Sequence, residues 1–412
     1  MASKINERLK GIGKLKGIQL HKFAFGFPKL YFGAVLTAAL VGYGIILFFP
    51  LLAMVGMYGL QSSFITNGAL DYVAITIWAA VIIIGLSISY HISSLKFEVC
   101  TGVSLPDNIA PKLVNFIEEH DQGFLRIRLH DIRLTERFEL RVEKYPYIGL
   151  PLWSKNVLVI GFDFMQMLSK EYFDCALIAK LEQHSKRHIH ITHWLGEQAF
   201  VWSLYPAALK KRNHLGDRLL ARMFAAYARM YGRLARHMVQ KSDMKGDAYA
   251  LSKVNYHSVL EGLEAQAVAE FMLKSKFLPA FKVVLRKSSS ASQLMLPYLS
   301  MPTTVKKTFN SQNYPVIMKT LMSPEPIKAS VLPPLAKRIE NIGYKDPENI
   351  DSWIGVAGKY YFEASYDSIV KLMSKRWLVR NGVRLPQTPT QSKKAVKKTV
   401  AKKSALQKLK SA

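Results

Sequence analysis

Between Leu30 and Leu70 the chain carries no Lys, Arg, Asp or Glu, and a second uncharged run, YVAITIWAAVIIIGLSISY, occupies Tyr72 to Tyr90. At about 1.5 Å of rise per residue, either run wound as a helix is long enough to cross a hydrocarbon core of roughly 30 Å. The pattern predicts two membrane spans: about Leu30 to Met57, with Pro50 as a kink, and about Tyr72 to Tyr90. The first run is too long for the apolar stretch of a signal peptide and is followed by another span, which argues against cleavage.

After Tyr90 the pattern changes to the short periods of a folded domain. Lys96 to Val103 reads as a strand, and Ser104-Leu105-Pro106 as a turn opening a helix over Ile109 to Glu119. Phe124 to Leu129, Phe138 to Val142 and Asn156 to Ile160 are candidate strands, with a proline-punctuated loop from Tyr145 to Pro151. Met167 to His193 reads as one helix capped by Ser169, with Phe173, Leu177 and Leu181 at helical intervals. Long helices are expected over Leu215 to Val239, which has an apolar face and arginines on the others, and over Lys245 to Lys274. A connector from Lys282 to Ser292 precedes shorter helices at Ser292 to Leu299, Tyr314 to Leu321 and Leu335 to Ile342, the last stopping at Gly343. A final helix is expected over Ile354 to Lys375. The order of elements is α+β, mostly helical, with a small sheet.

Charge sets the orientation and the ends. Residues 1–29 hold seven Lys or Arg against one acid, and the connector Gly59 to Asp71 holds no base. Both termini are therefore expected in the cytoplasm, around a short exoplasmic hairpin. The leader reads either as a short amphipathic helix on the membrane surface or as a disordered segment that sets topology. The last 27 residues carry eight lysines and no acid and read as a disordered tail, for adhesion to anionic lipid or for solubility. A formal net charge of +28 suits an anionic lipid surface; nothing else in the chain points to nucleic acid. The expected units are a leader at 1–29, a two-span hairpin at 30–92, a cytoplasmic domain at 96–345, a helical extension at 346–384 and a tail at 385–412. Cys100 and Cys175 are too few for a disulfide framework, and Cys175 reads as a small core residue.

The chemistry concentrates on the helix that opens at Ser169. Four histidines, His184, His188, His190 and His193, lie within ten residues. An H-E-x-x-H helix needs two histidines four apart for zinc, a glutamate to activate water and an acidic ligand from a later helix. The corresponding residues are Lys180-Leu181-Glu182-Gln183-His184, so one histidine is present. Downstream, Asp243 and Asp247 stand four apart, placed to reach back to that helix.

Taken together these pieces resemble the HtpX and CAAX-prenyl-protease family of membrane-bound zinc metallopeptidases over about residues 100–345. The matching stretches are Gly102-Val103-Ser104-Leu105-Pro106; Leu158-Val159-Ile160-Gly161 with Leu168-Ser169; Ile178-Ala179 with His184; Asp243 with Gly246 and Asp247; and Leu332-Pro333-Pro334-Leu335-Ala336-Lys337-Arg338-Ile339. The resemblance implies a zincin-like domain behind the paired spans, in an integral protein expected in a bacterial inner membrane. The departures fall on the chemistry: Lys180 replaces a zinc ligand, Leu181 the general base, Asp243 a glutamate ligand and Leu332 a histidine. A pseudopeptidase is expected, acting as a binding, scaffold or regulatory module for an unidentified protein partner. It needs no cofactor, and a Lys180, His184 and Asp243 network fills the old metal position. The alternative is a divergent zinc endopeptidase using His184, His188 and Asp243, with Glu182 or Asp247 as base. His190 and His193 are expected on the cytoplasmic surface.

Overall fold

The computed structural model describes residues 24, 26–66, 72–120, 129–149, 153–184, 191–212, 214–287, 296–309, 314–323, 333–344 and 355–381. Nearly all of the expected leader, residues 67–71 of the span connector, the strand at 124–128, His188, His190, Leu332 and the lysine-rich tail lie outside these residues, as does the side chain of Glu182.

Two helices are long and apolar enough to cross a membrane, α1 (Pro28–Thr66) and α2 (Tyr72–Ser93). They differ in length, 39 residues against 22, which at 1.5 Å per residue is roughly 58 Å against 33 Å. They pack as an antiparallel pair: Gly85 lies against Phe49 and Ala53, Gly56 against Ile82, and Gly59 against Trp78. The half of α1 from Tyr31 to Ile46 therefore runs on past the end of α2. There it is buried against α6 (Ile191–Arg212) and α7 (Leu215–Ala250) in a separate core rich in aromatic residues, including Trp202, Tyr205, Phe224 and Tyr231. Polar groups finish this contact: Tyr227 donates to the Ala38 carbonyl at 2.7 Å, Tyr43 to Gln198 Oε1 at 3.1 Å, and Tyr31 to the Leu234 carbonyl. The foot of α6 is tied to the end of α2 by Arg212, which donates to the His91 carbonyl at 2.9 Å and to both oxygens of Ser94.

The sheet is small and mixed. β1 (Val103–Ser104), β2 (Leu129–Thr135), β3 (Leu140–Pro146) and β4 (Ser154–Gly161) lie in the order β1-β2-β4-β3, with β2 and β4 parallel and the other pairs antiparallel. β4 is central, its residues Val157 to Ile160 nearly inaccessible, as an uninterrupted apolar run requires. β3 is an edge. Gly161 ends β4 because the Arg137 carbonyl occupies the place of a Cβ. Of the strand expected from Lys96, two residues pair; Phe97 and Val99 instead lay their side chains over Tyr145, Val157 and Val159, covering a face of the sheet rather than extending its edge.

The remaining helices are α3 (Pro111–His120), α4 (Phe162–Met167), α5 (Lys170–His184), α8 (Tyr256–Met272), α9 (Leu278–Lys287), α10 (Pro297–Thr308), α11 (Tyr314–Leu321), α12 (Leu335–Asn341), α13 (Ala357–Phe362) and α14 (Tyr366–Arg380). A π turn at Leu273–Phe277 joins α8 to α9. One main core gathers residues from Leu105 to Leu378, so α13 and α14, expected as an extension, pack into the same core as the domain before them.

Four expectations need correction. The helix of Met167 to His193 is three pieces: α4 ends at Met167, α5 runs from Lys170 to His184, and His193 belongs to α6. A continuous helix would carry His193 roughly 13 Å beyond His184, whereas their ring nitrogens are 3.2 Å apart. The helices expected over Leu215 to Val239 and Lys245 to Lys274 divide elsewhere: α7 runs on for 36 residues to Ala250, and the interruption falls at 251–255, before α8. The helix placed at Ser292 begins at Pro297, whose fixed φ suits a first turn. The last helix is split by a 3-10 turn at Glu363–Ser365, where Glu363 takes a φ of 39°.

Candidate functional site

Ser169 opens α5, its carbonyl accepting from the Phe173 amide at 3.0 Å and its hydroxyl lying 3.4 Å from the Tyr172 amide. Once started, the helix buries Phe173, Leu177 and Leu181 in the main core. The adjoining face, Ala176, Ala179, Lys180 and Gln183, lines a cleft of about 460 Å³. The last turns of α7 cross this face closely. A Cβ on Gly246 would come within 2.8 Å of the Ala179 carbonyl oxygen, so the crossing requires glycine. Closeness brings Ser242, Asp243 and Asp247 onto α5.

Lys180 Nζ donates to Asp243 Oδ1 at 2.5 Å and to Gln183 Oε1 at 3.1 Å. Gln183 Nε2 in turn donates to Ser242 Oγ at 2.9 Å and to Asp243 Oδ1 at 3.3 Å. Burial pushes the Asp243 carboxyl up, but the Lys180 ammonium outweighs it and holds the group below its ordinary value. Asp247 is engaged just as firmly: the buried Arg338 guanidinium grips both its oxygens at 2.7 Å. Two motif pieces 91 residues apart thus close on each other. The remaining walls are mixed: Phe138 and Leu140 at the start of β3 and Leu263 and Phe271 of α8 supply apolar surface, between Glu139, Gln266, Glu270 and Lys274.

His184 does not face the cleft. One residue round the helix from Gln183, it turns toward α6, where its Nδ1 lies 3.1 Å from Glu197 Oε1 and 3.2 Å from His193 Nε2. His193 Nε2 is itself 3.0 Å from Glu197 Oε1, and its Nδ1 is 2.6 Å from Ser242 Oγ. Lys144 of β3 donates to the other oxygen of Glu197 at 2.7 Å. Burial first, and the His193 ring second, lower the His184 pKa to about 4. Burial raises the Glu197 carboxyl, but the hydrogen bonds of both histidines prevail and hold it well below the ordinary range. Ser242 and Gln183 join the two clusters: Lys180, Gln183 and Asp243 on the cleft side, His193, His184 and Glu197 behind it.

A zinc ion bound as the family resemblance implies would need Asp243 and His184 together with residue 180. Here the ammonium of Lys180 sits on Asp243, and the cleft face of α5 does not include His184; these residues do not fit a metal at that place. Neither a family model, a curated protein nor a solved structure matches this chain. The resemblance rests on its motif pieces alone, of which Lys180 meets Asp243 and Asp247 meets Arg338.

The expected network is thereby divided. Lys180 and Asp243 are joined, with Gln183 as a third member, while His184 reaches them through His193 and Ser242. Leu181, at the position of the general base, is 2% exposed and points into the core. Asp247 is committed to Arg338. His193, expected at the surface, is largely buried, its side chain 14% exposed. Glu197 was missed altogether. Its signal lay in the spacing His193-Trp194-Leu195-Gly196-Glu197, four apart on a helix and so on one face.

Proposed function

We propose that the chain is a membrane-anchored, non-proteolytic relative of the HtpX and CAAX-prenyl-protease metallopeptidases, a binding module whose cleft holds an extended apolar segment of a partner protein. The observation that carries this reading is the Lys180 ammonium seated on Asp243 at the cleft floor. Peptide hydrolysis at that floor would need a metal or a free carboxylate to activate water. The four carboxylates that line the cleft, Glu139, Asp243, Asp247 and Glu270, each face a cation: Arg141, Lys180, Arg338 and Lys274. What remains is a mostly apolar cleft reached by the start of the edge strand β3 at Leu140, where an extended chain can bury side chains against Phe138, Leu263 and Phe271.

The membrane anchor is supported by the outer faces of α1 and α2, where Leu47, Phe48, Leu51, Met54, Ile77 and Ile83 are more than half exposed. So large an apolar surface belongs in lipid. The basic leader sets both termini on the cytoplasmic side of an inner membrane, against anionic lipid.

The test uses detergent-purified full-length protein with a photo-crosslinking residue at Phe271 and an unfolded, apolar peptide as probe. Crosslinking to intact peptide, suppressed by excess peptide and lacking at the exposed Trp153, supports the reading. Peptide cleavage that a chelator stops and D243N abolishes would overturn it in favour of an endopeptidase using His184, His188 and Asp243.

A further inference from the structure

We propose that His184, His193 and Glu197 form a structural site for a zinc-class divalent cation, one that clips the end of α5 to the start of α6 behind the cleft. The site goes beyond the binding function above, which stands or falls without it. Its basis is the triangle of ligand atoms: His184 Nδ1, His193 Nε2 and Glu197 Oε1 are separated by 3.0, 3.1 and 3.2 Å. Tetrahedral ligands about 2.05 Å from zinc stand about 3.3 Å apart. A cation about 1 Å out of the plane of this triangle would lie about 2.05 Å from all three atoms. The two rings meet edge to face, at 86°, and so are not stacked on each other.

Chemistry points the same way. Without a cation, either two N–H groups crowd one carboxylate oxygen and each other at 3.2 Å, or a bare ring nitrogen faces that oxygen. A shared cation makes both nitrogens lone-pair donors and removes that conflict. The outer contacts are those of a held ligand set: His193 Nδ1 reaches Ser242 Oγ, and Lys144 takes Glu197 Oε2, leaving Oε1 for the cation. Lys144 is a like charge, but its side chain is 31% exposed and screened by solvent. Two imidazoles and one carboxylate select zinc-like ions over magnesium or calcium. None of the three residues lines the cleft, so the assigned role is structural.

Cobalt(II) titration of chelator-treated, detergent-purified full-length protein tests the site by its visible absorption. The expected result is one equivalent bound with the intense bands of tetrahedral cobalt. D243N and K180M should leave those bands unchanged. E197Q should weaken binding by more than about 100-fold, and S242A by about 10- to 100-fold. H193C, which keeps a ligand at the position, should retain binding and add a thiolate-to-cobalt charge-transfer band; this also guards against a variant that merely fails to fold. The proposal is overturned if the wild type binds no cobalt, if D243N abolishes the bands, or if H193C adds no thiolate band.

Discussion

Replacing Lys180 by Met keeps the length and much of the packing of the side chain while removing its charge from Asp243. The Lys180 side chain is 19% exposed and that of Asp243 is 8% exposed, so the pair is largely withdrawn from water. Breaking a buried ion pair by deleting one partner costs about 3–5 kcal/mol, because the survivor is left uncompensated. Asp243 keeps a 3.3 Å contact with Gln183 and the nearby charge of Arg338, which places K180M at the lower end, about 3 kcal/mol. Each kcal/mol moves the unfolding midpoint of a domain of this class by about 2–4 °C, so thermal unfolding in detergent at pH 7 should show a fall of about 6–12 °C. The double variant K180M/D243N removes both charges and should recover most of the loss, with a coupling of about 2 kcal/mol. The pH dependence follows from the lowered Asp243 carboxyl. Its stabilisation is full above the unfolded value of 3.8 and is lost as the pH falls through the lower, folded value, so wild type and K180M should converge in strong acid. A K180M midpoint within about 2 °C of wild type at pH 7, or a double variant equal to the sum of the singles, would refute the idea that this pair holds the cleft floor.

A glutamate at Leu181, where the resemblance would put a general base, should not confer proteolysis: L181E puts a carboxylate into the main core and should cost about 4 kcal/mol, measured as lost thermal stability with no cleavage gained. G246V should cost about 1–3 kcal/mol by wedging α7 away from the Ala179 carbonyl, and a midpoint equal to wild type would show that the crossing is looser than described. Burial raises the Asp163 carboxyl to about 6 although Tyr298 donates to it at 2.6 Å. Its contribution is full below 3.8 and is lost as the pH rises through about 6, an effect on the order of 3 kcal/mol. D163N should flatten that decline, with unfolding midpoints at pH 5 and pH 7.5 as the measure, and an unchanged slope as the refuting result.

How much of this could be read from the residues depended on how local the deciding signal was. The apolar helices α1 and α2 are set by composition, and the start of α5 by one serine. The meeting of Lys180 with Asp243, 63 residues apart, was legible because motif order placed both on one site. The fate of His184 was not. A helix running on to His193 keeps the two rings apart, and it takes the return of α6 onto α5 to put His193 and Glu197 beside His184. The inward turn of Leu181 was hidden for a related reason: which side of a helix faces a cleft depends on what covers the other side, and here that is the main core. The length of α7 was hidden because its last turns change partner, from the aromatic core to the face of α5, so one apolar stripe does not run through it.

The helix α6 also measures a height. Its foot, Arg212, is tied to the end of α2, while His193, 19 residues up the same helix, stands behind the cleft floor. At 1.5 Å per residue that is roughly 28 Å of rigid rise, with α1 packed alongside as a brace. Where α2 spans a bilayer and the cleft takes a partner segment as proposed, a partner anchored in the same membrane would need a linker of roughly eight or nine extended residues to reach the groove. On that proposal, lengthening or trimming such a linker by a few residues should switch capture on or off.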